Sequence, residues 1–260
     1  MSKLLLTHLG GPTTLIDVDG WRILTDPTFD APGRRYTFGW GTSSVKVAGP
    51  AQPPEVVGPV DVVLLSHDQH ADNLDDAGRA LLARAGTVIT TVPAARRLAL
   101  RNARGLADWE STTLHEPGRP PLKITATPGR HGPKFSRPIA GKVNGFALHR
   151  LGEDTAALWM SGDTVLYDGL REVAQRIPVD VALLHLGGVR FGLTGPIRFT
   201  MTAHDAVELI RLLQPRVVVP VHYEGWTHFR DPESVARQTL SKSDIGERVR
   251  WLTPGEPAEV

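Results

Sequence analysis

The segment Ser66-His67-Asp68-Gln69-His70-Ala71-Asp72-Asn73-Leu74-Asp75 sets two imidazoles and several carboxylates within a few residues of one another. Neutral imidazole is a good zinc ligand, and a carboxylate can complete the coordination or bridge a pair of ions. The segment follows the apolar run Val60 to Leu65. Three further apolar runs stop in the same way: Ala156 to Met160 before Ser161-Gly162-Asp163, Val179 to Leu184 before His185, and Val217 to Val221 before His222. A continuous apolar run of that length reads as a strand buried on both faces. A ligand-type residue at its carboxyl end lies on the sheet rim, where open α/β folds place their chemistry. With His131 after Pro128-Gly129-Arg130, these endings point to one metal site gathered from across the chain.

The elements that must hold such a site follow from the punctuation between the runs. Leu4 to Leu6, Thr13 to Val18 and Trp21 to Leu24 read as strands, the last two joined by the hairpin signal Asp19-Gly20. The run ending at Leu65 leads through the His67 segment into a helix over about Asn73 to Ala83, then a strand at Thr87 to Val92 and a helix from Pro93 to about Arg101. Strands at Thr112 to His115 and Leu122 to Thr127 lead to His131. Gly145 to Leu151 pairs with the run ending at Met160, and a helix at Leu170 to Ile177 precedes the strand ending at His185. Thr202 caps a helix reaching Leu213, with Asp205 in its first turn. A helix near Pro232 to Leu240 and a strand at Arg248 to Leu252 close the chain. Hairpins followed by β-α units, twice over, imply two sheets packed face to face with helices outside. The expectation is a single domain, 1–260, with pseudo-repeat halves of about 1–140 and 141–260. Pro27 to Pro59 reads as one long irregular stretch carrying Phe29, Tyr36, Phe38 and Trp40, either a lid, binding loop or oligomer arm, or aromatics plugged onto the core.

Composition narrows the chemistry. The chain has no cysteine, so disulfides, thiolate ligands and a cysteine nucleophile are excluded, and any ion is held by nitrogen and oxygen, which suits zinc, manganese or iron. A formal charge of +1 without a long basic segment gives no reason to expect nucleic acid. No run approaches the roughly 20 apolar residues of a membrane span, and the Met1 to Leu6 start is too short for a signal peptide, which leaves the cytoplasm as the expected compartment. The expected partner is a small-molecule substrate, and the aromatic Pro27 to Pro59 stretch allows a homo-oligomer. His8, His185 and Tyr223 stand near the rim as candidates for substrate contact.

Taken together, the spacing resembles that of the metallo-β-lactamase-fold hydrolases, whose signature is His-x-His-x-Asp-His after a strand, followed by a distant His, Asp and His at later strand ends. The matching residues are His67, His70 and Asp72, then His131, Asp163 in Ser161-Gly162-Asp163-Thr164, and His222 in Val219-Pro220-Val221-His222. With Thr25-Asp26-Pro27, the pattern is most similar to the branch of the L-ascorbate-phosphate lactonases and the phospholipase D acting on N-acylphosphatidylethanolamines. The resemblance implies an α/β fold, a four-layer αββα sandwich of two mixed β-sheets. It implies that His67, His70 and His131 hold one ion, that Asp72, residue 73 and His222 hold a second, and that Asp163 bridges them. Two departures stand out. An extra residue separates the first two histidines, and Asn73 replaces the third. A neutral amide oxygen is a poorer zinc ligand than imidazole. The expectation is therefore one tight zinc site and a weakened second one in which Asn73 is a substitute ligand, with manganese or iron as alternatives.

The implied activity is metal-dependent hydrolysis of a small ester, lactone or phosphodiester by a metal-bound hydroxide, with Asp72 orienting the nucleophile and shuttling its proton. Asp26 and Asp68 are candidates for fixing ligand tautomers. Two other readings compete: a nuclease or RNA-processing hydrolase, and a metal-binding or ligand-sensing scaffold whose catalysis the altered motif has impaired.

Overall fold

The computed structural model describes residues 4–260. One sheet has seven strands in the spatial order Ala258–Glu259, Leu4–Gly10, Thr13–Val18, Trp21–Thr25, Val62–Leu64, Thr87–Thr91 and Ala103–Leu106. The other has six, in the order Val217–Val221, Val179–His185, Ala156–Met160, Val143–Arg150, Leu122–Gly129 and Ser111–Leu114. Each sheet mixes parallel and antiparallel neighbours. The Asp19-Gly20 turn has positive φ at both residues, as a two-residue hairpin of matching twist requires.

Alternation along the strands explains the layers. Leu6, Ile16, Val62 and Leu64 of the first sheet meet Phe146, Leu158, Met160, Val181 and Val219 of the second in one buried core between the sheets. The intervening residues face outward. Val63, Leu65 and Val88 pack against Leu81 and Leu82 of the helix Asp76–Leu82. Trp159, Ala182 and Val218 pack against the helices Asp168–Arg176, Ala203–Leu213 and Glu233–Ser241. Helix, sheet, sheet, helix is the four-layer sandwich, and it makes the apolar runs continuous because both faces of each strand are covered. Among the described residues, no helix is long and apolar enough to cross a membrane.

Local structure departs from the sequence reading in several places, one of them the edge strand Ala103–Leu106, where no strand was expected. The stretch from Pro27 to Pro59 is not wholly irregular: Arg35–Gly39 and Thr42–Val45 form a two-stranded hairpin with Phe38 buried. The helix after the ligand segment begins at Asp76, because the Asp75 carboxylate accepts from Gly78 N at 2.9 Å and caps it there, leaving residues 70 to 74 free to turn. The expected last strand makes a single parallel bridge, Val249 to Val218, after a 3-10 turn, and the chain pairs again only at Ala258–Glu259.

Candidate metal centre

Parallel strands put their carboxyl ends on one edge. In the second sheet Ala156–Met160, Val179–His185 and Val217–Val221 run parallel, and Leu122–Gly129 runs with them, being separated from Ala156–Met160 by one antiparallel strand. In the first sheet Trp21–Thr25 and Val62–Leu64 are parallel. Asp26, His67, His131, Asp163, His185 and His222 follow or end these strands and are all buried. The turn through Asp163 depends on Gly162, whose φ is +61° and where a Cβ would lie 2.7 Å from the Asn144 carbonyl oxygen. His222 is itself held at φ +58°, a costly conformation for a non-glycine residue. Its amide donates to the Gly11 carbonyl at 2.8 Å.

His67, His70 and His131 form one group. His70 Nδ1 lies 3.1 Å from His67 Nε2 and 3.0 Å from His131 Nε2. A tetrahedral zinc ion with bonds of about 2.0–2.1 Å would set such nitrogens about 3.3 Å apart. Hydrogen bonding explains the cluster less well, since the single lone pair of one imidazole nitrogen cannot accept from both neighbours. The outer nitrogens set the tautomers. His131 Nδ1 donates to the Phe199 carbonyl at 2.8 Å, and Ser66 Oγ is 3.0 Å from His67 Nδ1. The carbonyl leaves His131 Nε2 bare toward a cation, and the hydroxyl, which can accept from His67 Nδ1, is compatible with the same tautomer there. Burial, reinforced by the neighbouring imidazoles, holds His67 well below the usual histidine range and lowers His131 to about 3. Burial also lowers His70. All three are neutral at physiological pH and competent as ligands.

Asp72, Asp163 and His222 form the second group. His222 Nε2 is 3.5 Å from Asp72 Oδ2 and from Asp163 Oδ2. Asp72 Oδ1, both Asp163 oxygens and His222 Nε2 are buried without a hydrogen-bond partner. Buried carboxylate oxygens and an imidazole nitrogen, all unpartnered among the described residues, are what a divalent cation would satisfy. The titration pattern reflects the same crowding. Burial pushes Asp163 up to about 7, with Asp72 and Asp26 adding to it. Burial would lower His222, but the Asp163 and Asp72 carboxylates override it and hold the ring at about 9. Asp72 is held well below the carboxylate range despite burial, by its contacts with His222 and His228.

The remaining sequence candidates occupy distinct places. Asp26 Oδ1 accepts from Ser66 N at 2.7 Å, and its Oδ2 faces His185 Nε2 at 3.2 Å and Asn73 Nδ2 at 3.3 Å. It therefore braces the strand-end turns, not a ligand ring. Asn73 turns its NH2 to Asp26 and Ser66 Oγ, and its Oδ1 is buried without a hydrogen-bond partner among the described residues. Asp68 pairs with the Arg97 guanidinium that the helix Val92–Leu98 brings to it, with Nε at 3.0 Å. His185 sits beneath the second group, its ring 5.7 Å from that of His222. His8 Nε2 contacts the Gly11 carbonyl at 3.1 Å, bracing the turn that receives the His222 amide. Tyr223 is buried in the outer core, with its ring 5.2 Å from that of Trp251 and 6.0 Å from that of His8. Sequence reading passed over His228, whose Nε2 lies 2.9 Å from Asp72 Oδ2. Its only advance signal was its position shortly after a ligand in an aromatic segment.

A narrow cleft opens onto His70, Asp72 and His131 and is otherwise lined mainly by apolar side chains, with no lysine or arginine among the described residues. A second depression, lined by Arg130, Lys134, Arg137 and Lys142, also reaches His131.

The chain matches the β-lactamase superfamily domain over residues 21–223. It is 27% identical over 257 residues to a UPF0173 metal-dependent hydrolase of Carboxydothermus hydrogenoformans, covering 96% of this chain and 97% of that one. It is 30% identical over 208 residues to the corresponding hydrolase of Pelotomaculum thermopropionicum, covering 77% and 82%. The isothiocyanate hydrolase from Delia radicum gut bacteria superposes with a TM-score of 0.81 at 20% identity, over 98% of this chain and all of its own. The metallo hydrolase Igni18 of Ignicoccus hospitalis superposes at 0.72 with 23% identity, over 99% and 98%.

Proposed function

The chain belongs to the β-lactamase superfamily and within it to the UPF0173 metal-dependent hydrolases, and on that premise we propose that it hydrolyses an uncharged carbonyl substrate, an ester or lactone, at a centre made by His67, His70 and His131 on one side and Asp72, Asp163 and His222 on the other. The observation that carries this reading is the convergence of six buried ligand-type side chains as two adjoining groups. Three neutral imidazole nitrogens suit zinc, and the oxygen-rich second group suits zinc or a harder ion such as manganese. Bound there, a metal would supply Lewis acidity and would lower the pKa of a water to about 7.

The chain's own residues do the rest. Burial keeps the three imidazoles deprotonated toward the ion. Asp72 would hold the second ion and, through the same carboxylate, orient the attacking water and take its proton, with its Oδ2 held by His228. The apolar walls exclude bulk water and strengthen these contacts. The apolar lining of this cleft favours a carbonyl substrate, whereas the basic depression that also reaches His131 is the feature that would suit a phosphodiester.

Metal content by elemental analysis, with a chromogenic panel of esters, lactones and phosphodiesters, tests the reading. An aryl isothiocyanate is included because the Delia radicum neighbour is an isothiocyanate hydrolase. Stoichiometric metal, chelator-sensitive hydrolysis of the carbonyl substrates and its loss in His131→Ala and Asp163→Ala are expected. A purified protein without transition metal removes the basis of the proposal, and tight metal with a silent panel favours a scaffold.

A further inference from the structure

We infer that the cleft is a selectivity pocket for an apolar group, an aryl ring or a short alkyl chain, with Phe38, Ile139, Phe191 and Phe199 as the residues that set its preference. The inference rests on the reading of this cleft as the substrate entrance and adds what enters it. The floor is polar, made by His70, Asp72 and His131, and the walls above it are aromatic and aliphatic. Phe38 and Phe191 stand with ring centres 5.5 Å apart, and Phe191 and Phe199 with theirs 5.9 Å apart, forming one aromatic wall. Phe38 lies 5.5 Å from the His70 ring and Phe199 lies 5.8 Å from that of His131, so the wall reaches the ligands.

The mouth repeats the chemistry of the walls. Trp40 is 39% exposed, Phe135 64% and Leu193 76%, and they come from three separate segments. Trp40 lines the cleft with its ring 6.5 Å from Phe135 and 6.4 Å from Phe199, while Leu193 closes on Gly41 beside it. Large apolar side chains left exposed at one opening mark a surface that meets an apolar partner. Here the opening leads directly to the candidate ligands, so that partner is the non-reacting part of a substrate.

The test measures binding without turnover. A 4-alkylphenol series, from phenol to 4-butylphenol, is titrated by ligand-observed NMR into the full chain stripped of metal. Each added methylene should tighten binding about four-fold until the cleft is full. Ile139→Ser and Phe191→Ser should each weaken 4-butylphenol by about an order of magnitude and flatten the series, whereas Leu212→Ser, an exposed position on an outer helix, should leave it unchanged. Thermal melts verify folding. Ile139 is only half-buried in a surface segment, so Ile139→Ser decides the matter if Phe191→Ser is unstable. A series independent of chain length, or one unmoved by both cleft variants, overturns the inference even if esters are hydrolysed. A graded series lost in the variants sustains it even if the hydrolysis panel is silent.

Discussion

His228 Nε2 stands 2.9 Å from Asp72 Oδ2, joining a loop beyond the Val217–Val221 strand to the ligand turn of the opposite sheet. His222 approaches the same oxygen at 3.5 Å. Asp72 is therefore aimed from one side by His228, leaving Oδ1 free. The His228 ring is packed against Phe38, Phe191 and Phe229, which fixes the direction of that hydrogen bond.

Removing this donor should act on the second group and spare the first. For His228→Ala the expected loss is about 10- to 100-fold in affinity for the second ion, with activity falling in step. Occupancy at His67, His70 and His131 should be unchanged, and His228→Gln, which keeps an N–H, should recover part of the loss. Competition with a chromophoric chelator reads the two affinities separately. Equal weakening of both would show that His228 supports the fold at large and not Asp72.

The two groups should also differ in the protons they release. His222 is held at about 9 in the metal-free protein, so an ion taking its Nε2 near pH 8 must displace a proton. His131 at about 3 has none to give. Calorimetry in buffers of different ionisation enthalpy should find little proton release with the first equivalent and about one proton with the second.

The same shifts set the stability of the metal-free protein. A ring whose folded pKa is raised, like that of His222, contributes stability fully below about 6.5 that is lost as pH rises through about 9. His67, His70 and His131 are depressed, so the unfolded chain binds more protons as pH falls from about 6.5, and stability drops on the acid side. Asp163, raised to about 7, works against that drop, but three imidazoles outnumber one carboxyl. Melts of chelated protein should show a maximum near neutrality, and saturating metal should flatten it. A monotonic rise from pH 5 to 9 would contradict the assignment.

Asn73 offers a sharper electrostatic test. Its NH2 faces Asp26, and it also interacts with the Asp163 carboxyl. Asn73→Asp replaces that donor with a third buried carboxyl at nearly constant volume. The metal-free variant should lose about 1–3 kcal/mol from the lost donor, and more from carboxylate repulsion. Divalent metal should restore more stability to it than to the wild type. Denaturant melts with and without manganese measure the difference, and equal restoration would mean that residue 73 does not sense the ion.

Much of this arrangement was legible because a strand buried on both faces has to read as an unbroken apolar run. The residues ending such runs, Asp163, His185 and His222, could be placed on one rim before any coordinates. What could not be read were contacts between segments remote in sequence. Nothing near Asp72 announces His228, nothing near His131 announces the Phe199 carbonyl, and Arg97 claims Asp68 only because a helix happens to pass it. Asp75 was hard to read for a related reason. A side chain that bonds backbone amides looks, in sequence, like one that binds metal or continues a helix.

Asp75 shows what such a contact costs to break. Its carboxylate accepts from the amides of Phe29, Asp30 and Gly78 and from Lys46 Nζ at 2.8 Å, and both charged side chains are buried. One residue thus caps a helix, anchors the segment after Asp26 and ties down the Thr42–Val45 side of the hairpin that carries Phe38. Asp75→Ala would leave Lys46 an uncompensated buried charge, so a loss of about 3–5 kcal/mol is expected. In Lys46→Met the carboxylate keeps its three amide donors and an apolar chain fills the space beside Trp226, so the loss should be about 1 kcal/mol or less. Asp75→Ala should also weaken metal and 4-butylphenol together, since it releases the ligand turn and the cleft wall at once. Urea melts of the two single variants and the double variant measure the asymmetry. Equal losses in the two singles would mean that the ion pair, and not the amide cage around Asp75, carries the stability.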